Sequence, residues 1–168
     1  MAYLRDPSQF ANLALAAAPN TDYAHTLLRS LLLAAWLLPV WDALCGSPDR
    51  EVAQIALNAA KEARVQLRHA RDWIVRFGDG TAESRRRVEA AAFALWPLTG
   101  ELRSVQIPGV DAAQVMTAWA SAVRDAFAEA TLTVPADAPA LTEALKAQAG
   151  AWREALLADM QSLARQHP

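Results

Sequence analysis

The chain has 168 residues, 54% of them hydrophobic and 20% charged, with a formal net charge of −2. That balance fits one globular domain spanning 1–168; it argues against a disordered chain and a polybasic nucleic-acid binder, and a single cysteine, Cys45, excludes an internal disulfide framework. The start, Met1-Ala2-Tyr3-Leu4-Arg5-Asp6, has neither the basic n-region nor the apolar h-region of a signal peptide, and the most apolar run, Leu31 to Trp41, is shorter than the roughly 20 residues a bilayer span needs, so a cytoplasmic location away from membranes is expected.

Alanine, leucine, glutamate and arginine recur at helical spacing, and no alternating β-branched segment is found, so the expected class is all-α. Asp6-Pro7-Ser8 opens a predicted helix over about 9–17, with proline in its first turn. Pro19-Asn20-Thr21-Asp22 ends it and caps a second helix, about 23–45. Gly46-Ser47-Pro48-Asp49 is a turn short enough to force an antiparallel neighbour, a long helix over about 50–77 that Gly78 stops. Thr81 and Ser84 are candidate caps for a helix reaching Leu95, which Pro97 ends or bends, with a short turn to about Arg103. Asp111 caps a helix over about 112–130. The stiff connector Val134-Pro135-Ala136-Asp137-Ala138-Pro139 leads to a last helix, about 140–165. Pro39 removes one backbone bond within the second helix and is expected to kink it near Ala35.

Leu27, Leu28, Leu31, Leu32, Leu33, Trp36, Leu37, Leu38, Val40 and Trp41 cover most of the circumference of that second helix. A helix apolar all round must be buried all round, and one antiparallel partner covers a single face. Leaving about five such side chains in water would forgo roughly 1.5–3 kcal/mol each. Part of the cover is expected from the C-terminal helices and the rest from another chain, with Leu27, Leu31, Trp36, Leu38 and Trp41 as the expected interface.

Glu62 and Gln66 lie four residues apart and share a helical face. Di-iron bundles bind metal with a glutamate and a histidine on one face, whereas the glutamine amide is a poor ligand, so the pattern reads as a carboxylate site that has lost its ligands. No metal or other cofactor is expected in this chain. Neither His25 nor His69 has a nucleophile beside it, Cys45 reads as a small buried group, and Gly78-Asp79-Gly80-Thr81 lacks the spacing of a calcium or phosphate loop. Arg85-Arg86-Arg87 is either a solvated face beside Glu83 and Glu89 or a contact for a CoA phosphate or a partner's acids. Trp36, Trp41, Trp73, Trp96, Trp119 and Trp152 are distributed as a core distributes them.

Four stretches together resemble a known family: Tyr3-Leu4-Arg5-Asp6 with Phe10, Asn12 and Leu13; Pro19-Asn20 with Tyr23-Ala24-His25-Thr26 and Arg29; Lys61-Glu62-Ala63-Arg64 through Trp73 to Arg76-Phe77-Gly78-Asp79-Gly80-Thr81-Ala82-Glu83-Ser84; and Leu95-Trp96 with Thr99-Gly100-Glu101-Leu102. They resemble the non-catalytic C-type subunits of multicomponent 1,2-phenylacetyl-CoA epoxidases. The resemblance implies a ferritin-like helical bundle of about five helices. It also implies a homologous catalytic partner subunit that holds di-iron, with electrons arriving from NADPH through a reductase. In that family a helical hairpin precedes the Tyr-Leu-Arg-Asp segment, so the bundle here is expected to be truncated at its N-terminus. Ala34 and Gln66 stand where the family tends to carry an acidic residue and a histidine, which makes Ala34, Glu62 and Gln66 the degenerate ligand positions. Lys146-Ala147-Gln148-Ala149-Gly150 replaces a glycine- and histidine-rich loop. The competing expectation is a stand-alone helical homodimer with no oxygenase role.

Overall fold

A computed structural model describes the backbone of residues 6, 10, 12–136 and 138–166, and their side chains as far as 162. The order is α1 (Ala14–Ala17), α2 (Tyr23–Leu44), α3 (Arg50–Gly78), α4 (Ala82–Leu95), a 3₁₀ helix (Trp96–Ser104), α5 (Ala112–Glu129) and α6 (Glu143–Gln166), with no strand among the described residues. It is an all-α, ferritin-like bundle. The predicted first helix falls partly on residues outside those described, and among the described ones only Ala14–Ala17 are helical.

Four helix starts follow the capping rule residue by residue. Asp22 accepts from the His25 N–H, Asp49 from Glu51 and Val52, Thr81 from Ser84, and Asp111 from Ala113 and Gln114. Each side chain satisfies backbone donors that the first turn leaves without a partner.

Helix α2 is the axis of the bundle, packed by α3, α4 and α5. Its side chains Leu28, Leu31 and Leu32 are 0% exposed. Burial of each contributes roughly 1.5–3 kcal/mol. By length and composition this helix could cross a membrane; here its apolar surface faces α3, α4 and α5. It runs without a break through Pro39. The Trp119 indole N–H donates to the Leu32 carbonyl at 3.1 Å and ties α5 to this axis. Trp96 packs against Trp119 and Phe127, with ring centroids 5.7 and 6.0 Å apart. Helix α6 lies to one side against α1, and Arg153 donates to the Phe10 carbonyl at 3.1 Å.

The C-terminal ends of α3 and α5 meet at Gly78. A β-carbon there would lie 2.0 Å from the Ala130 carbonyl oxygen. After Ala130 the chain enters the left-handed region at Thr131 (φ 54°), and the Leu132 N–H returns to the Phe127 carbonyl at 2.8 Å, the bond of a Schellman cap. Arg85 clamps the same corner, donating to the Gly78 carbonyl and to the hydroxyl and carbonyl of Thr131. Gly78→Ala should therefore destabilise the fold by about 1–3 kcal/mol in urea unfolding, because neither backbone can yield. Gly150→Ala, with open space around its α-carbon on α6, should stabilise it by about 0.5–1 kcal/mol in the same assay.

Candidate functional site

Ala34 sits on α2 at 1% exposure, inside the bundle, whereas Glu62 and Gln66 lie on the exposed side of α3. A methyl group, an amide and one solvated carboxylate do not fit a di-iron centre, which needs several carboxylates and imidazoles turned toward one point. Among the described residues no three His, Cys, Asp or Glu side chains converge as a metal site.

Leu27, Leu31 and Trp36 are 4%, 0% and 6% exposed within the single chain. This corrects the expectation that another chain covers them. The reason is geometric: α2 runs through the middle of the bundle, so α4 and α5 cover the faces that α3 does not. Leu38 and Trp41 are half-buried. The large apolar side chains that do face outward belong mostly to other elements, among them Ile55, Leu57 and Val65 on α3 and Phe93 on α4.

The remaining polar candidates have local roles. The His25 ring nitrogen Nδ1 lies 2.9 Å from the Asp22 carboxylate, the same oxygen that caps α2. Burial acts to raise the Asp22 carboxyl, but the hydrogen bonds from His25 outweigh it and hold the group below its ordinary value. In the arginine triplet, Arg85 is the corner clamp, while Arg86 and Arg87 both donate to Glu83. Those bonds hold the Glu83 carboxyl down at about 2. His69 and Arg76 flank Trp73, one edge-on and one over its face, and Trp73 in turn meets Tyr23. Trp36, Trp96 and Trp119 are buried as a core would have them. Gly78–Thr81 is the stop of α3 and the cap of α4.

Two features escaped the sequence reading. One is an apolar groove of about 580 Å³ between the end of α4 and the connector 132–139, walled by Phe93, Trp96, Phe127, Leu132 and Pro135. Glu89 on its rim is already paired with Arg85 at 3.1 Å, and the Trp96 indole N–H donates to the Ala136 carbonyl, bracing the connector. This groove can hold hydrocarbon but carries no acid–base pair. The other is Glu101, on the 3₁₀ helix, whose carboxylate accepts from the Leu15 N–H at 3.1 Å. Its partner lies 86 residues away in sequence, so no local spacing could have indicated the bond.

Over residues 1–168 the chain matches the model of a family described as phenylacetic acid catabolic protein. The chain belongs to this family. A curated relative from this phenylacetic acid catabolic family, the C-type subunit of 1,2-phenylacetyl-CoA epoxidase from Escherichia coli (strain K12), is 34% identical over 177 residues, covering 100% of this chain and 71% of the relative.

Burial raises the Glu101 carboxyl above its ordinary value, and the N–H groups of Leu15 and Ala14 only partly oppose it. A carboxyl raised in the folded state binds its proton more tightly there than in the unfolded chain. Its contribution to stability therefore falls as pH rises through the window just above 4.5. Glu101→Gln keeps the acceptor for Leu15 and removes the charge. Urea unfolding between pH 4 and 7 should show the variant losing less stability than the parent as pH rises; parallel pH curves would mean that Glu101 is not the source.

Proposed function

We propose that the chain is the non-catalytic subunit of a multicomponent di-iron oxygenase that acts on an aromatic acyl-CoA of the phenylacetyl-CoA type. Its task in this reading is to hold a homologous catalytic ferritin-like subunit in shape. The observation that carries the reading is the 34% identity to the C-type epoxidase subunit along the whole of this chain. Two structural facts support it. The interior of the bundle is filled by hydrocarbon at Ala34, Leu31 and Phe127, and the residues at the ligand positions do not fit iron. The exposed apolar side chains Ile55, Leu57 and Val65 give α3 an outward face suited to packing by another subunit.

In this reading the di-iron centre and the chemistry of oxygen transfer belong to the partner, and electrons come from NADPH through a separate reductase. This chain's own contribution is mechanical. A rigid core around α2 presents fixed helix faces, and a fixed surface lowers the ordering cost of the assembly it joins. The complex would work in the cytoplasm.

Reconstitution tests the proposal. Co-expression with the catalytic ferritin-like subunit should give one stable complex by analytical ultracentrifugation. That complex, with the reductase, should oxidise NADPH in a phenylacetyl-CoA-dependent manner, with all the iron retained by the partner after separation. Stoichiometric iron on this chain alone would remove the non-catalytic role. A homodimer with no affinity for the catalytic subunit would favour a self-associating bundle instead.

A further inference from the structure

Helix α3 differs in charge from the rest of the molecule. Over Arg50–Gly78 it carries six basic residues against Glu51, Glu62 and Asp72, a net of +3 in a chain whose total is −2. The basic residues are not spread evenly. At 100° per residue, Arg50, Leu57, Lys61, Arg64, Val65 and Arg68 fall on one outward stripe. All six are exposed, with Leu57 and Val65 46% and 55% accessible. Arg64 reaches Asp42 on α2 at 3.2 Å, but among the described residues no ion pair engages Lys61 or Arg68. The stripe spans about 27 Å at 1.5 Å per residue.

We infer that this stripe docks an acidic amphipathic helix from another subunit of the oxygenase, an inference that rests on the subunit reading above. Leu57 and Val65, about two turns apart, seat two aliphatic side chains of the incoming helix. Lys61, Arg64 and Arg68 face its carboxylates. A straight row of this kind matches a helix laid alongside, ridge into groove. A second copy of this chain is the wrong occupant: a two-fold contact through the stripe would set the same positive row against itself, which costs affinity. Nucleic acid is disfavoured because the row is interrupted by aliphatic side chains and contains no aromatic group on which a base could stack. Orientation and association rate come from the charges, and residence time from the two apolar contacts.

The test uses the purified catalytic ferritin-like subunit as probe, with the full chain, by calorimetry at low and high salt. The variants are Lys61→Glu with Arg68→Glu, and separately Val65→Asp; all three positions are exposed, and unfolding curves check that the fold is unchanged. The inference expects the parent to bind, the charge reversal to weaken binding tenfold or more, and the Val65 variant to do the same. It also expects the salt dependence of the parent to be flattened in the charge reversal. Parent and variants binding equally would make the stripe a solvated face and overturn the inference while leaving the subunit reading intact. A parent that does not bind the probe at all would remove both. Tighter binding of a DNA duplex or of phosphatidylglycerol vesicles than of the probe protein, lost on charge reversal, would overturn the choice of occupant.

Discussion

Covering α2 on every side is the constraint on which the rest of the molecule depends. A 22-residue helix with leucine, tryptophan and alanine around its whole circumference has no stable surface position in water. The chain meets this by using α2 as the axis and wrapping α3, α4 and α5 around it. Each wrapping helix then needs only one apolar side. Helix α3 shows the result: alanines and Ile74 point inward, and charged side chains point out. The small residues Ala56, Ala60, Ala63 and Ala70 on the inner face allow α3 to approach α2 closely over most of its length.

The polar interactions that matter for the architecture lie at the ends of helices. Arg85 joins the stop of α3 to the Schellman turn after α5, where Gly78 lets two backbones touch. The Trp119 and Trp96 indoles each bring one buried N–H to a backbone carbonyl, so large aromatic surfaces are buried without leaving a donor unpaired. Surface ion pairs such as Arg86 with Glu83 are exposed and contribute little to stability beyond their local helix.

Membership of the phenylacetic acid catabolic family and the hydrocarbon interior lead to the same division of labour. Where a catalytic bundle turns carboxylates and imidazoles inward, this one turns methyl groups inward. The polar residues of α3 are thereby free to face outward, and the charge they carry becomes a property of the surface. A bundle whose interior does no chemistry can commit its helix faces to recognition.

The caps were legible residue by residue, because an aspartate or threonine before a helical run acts on donors two or three positions away. Helix ends came within a few residues for the same reason, apart from the first helix, where Asp6-Pro7-Ser8 suggested an earlier start than the described residues support. The all-α class followed from composition and period, and the family from the motifs around Trp73–Ser84. What covers α2 was not legible. Leu27, Leu31 and Trp36 announce that they must be buried, but apolarity is non-directional and does not name the partner. Glu101 with Leu15, Arg85 with Thr131 and Arg153 with Phe10 join residues 46 to 143 positions apart, and no spacing rule reaches that far. The sequence by itself determined the helices, their caps and the need to bury α2, since these are set by neighbours along the chain. Only the tertiary structure decided that the chain covers α2 with its own helices and which side of α3 remains open, because both depend on contacts between residues distant in sequence.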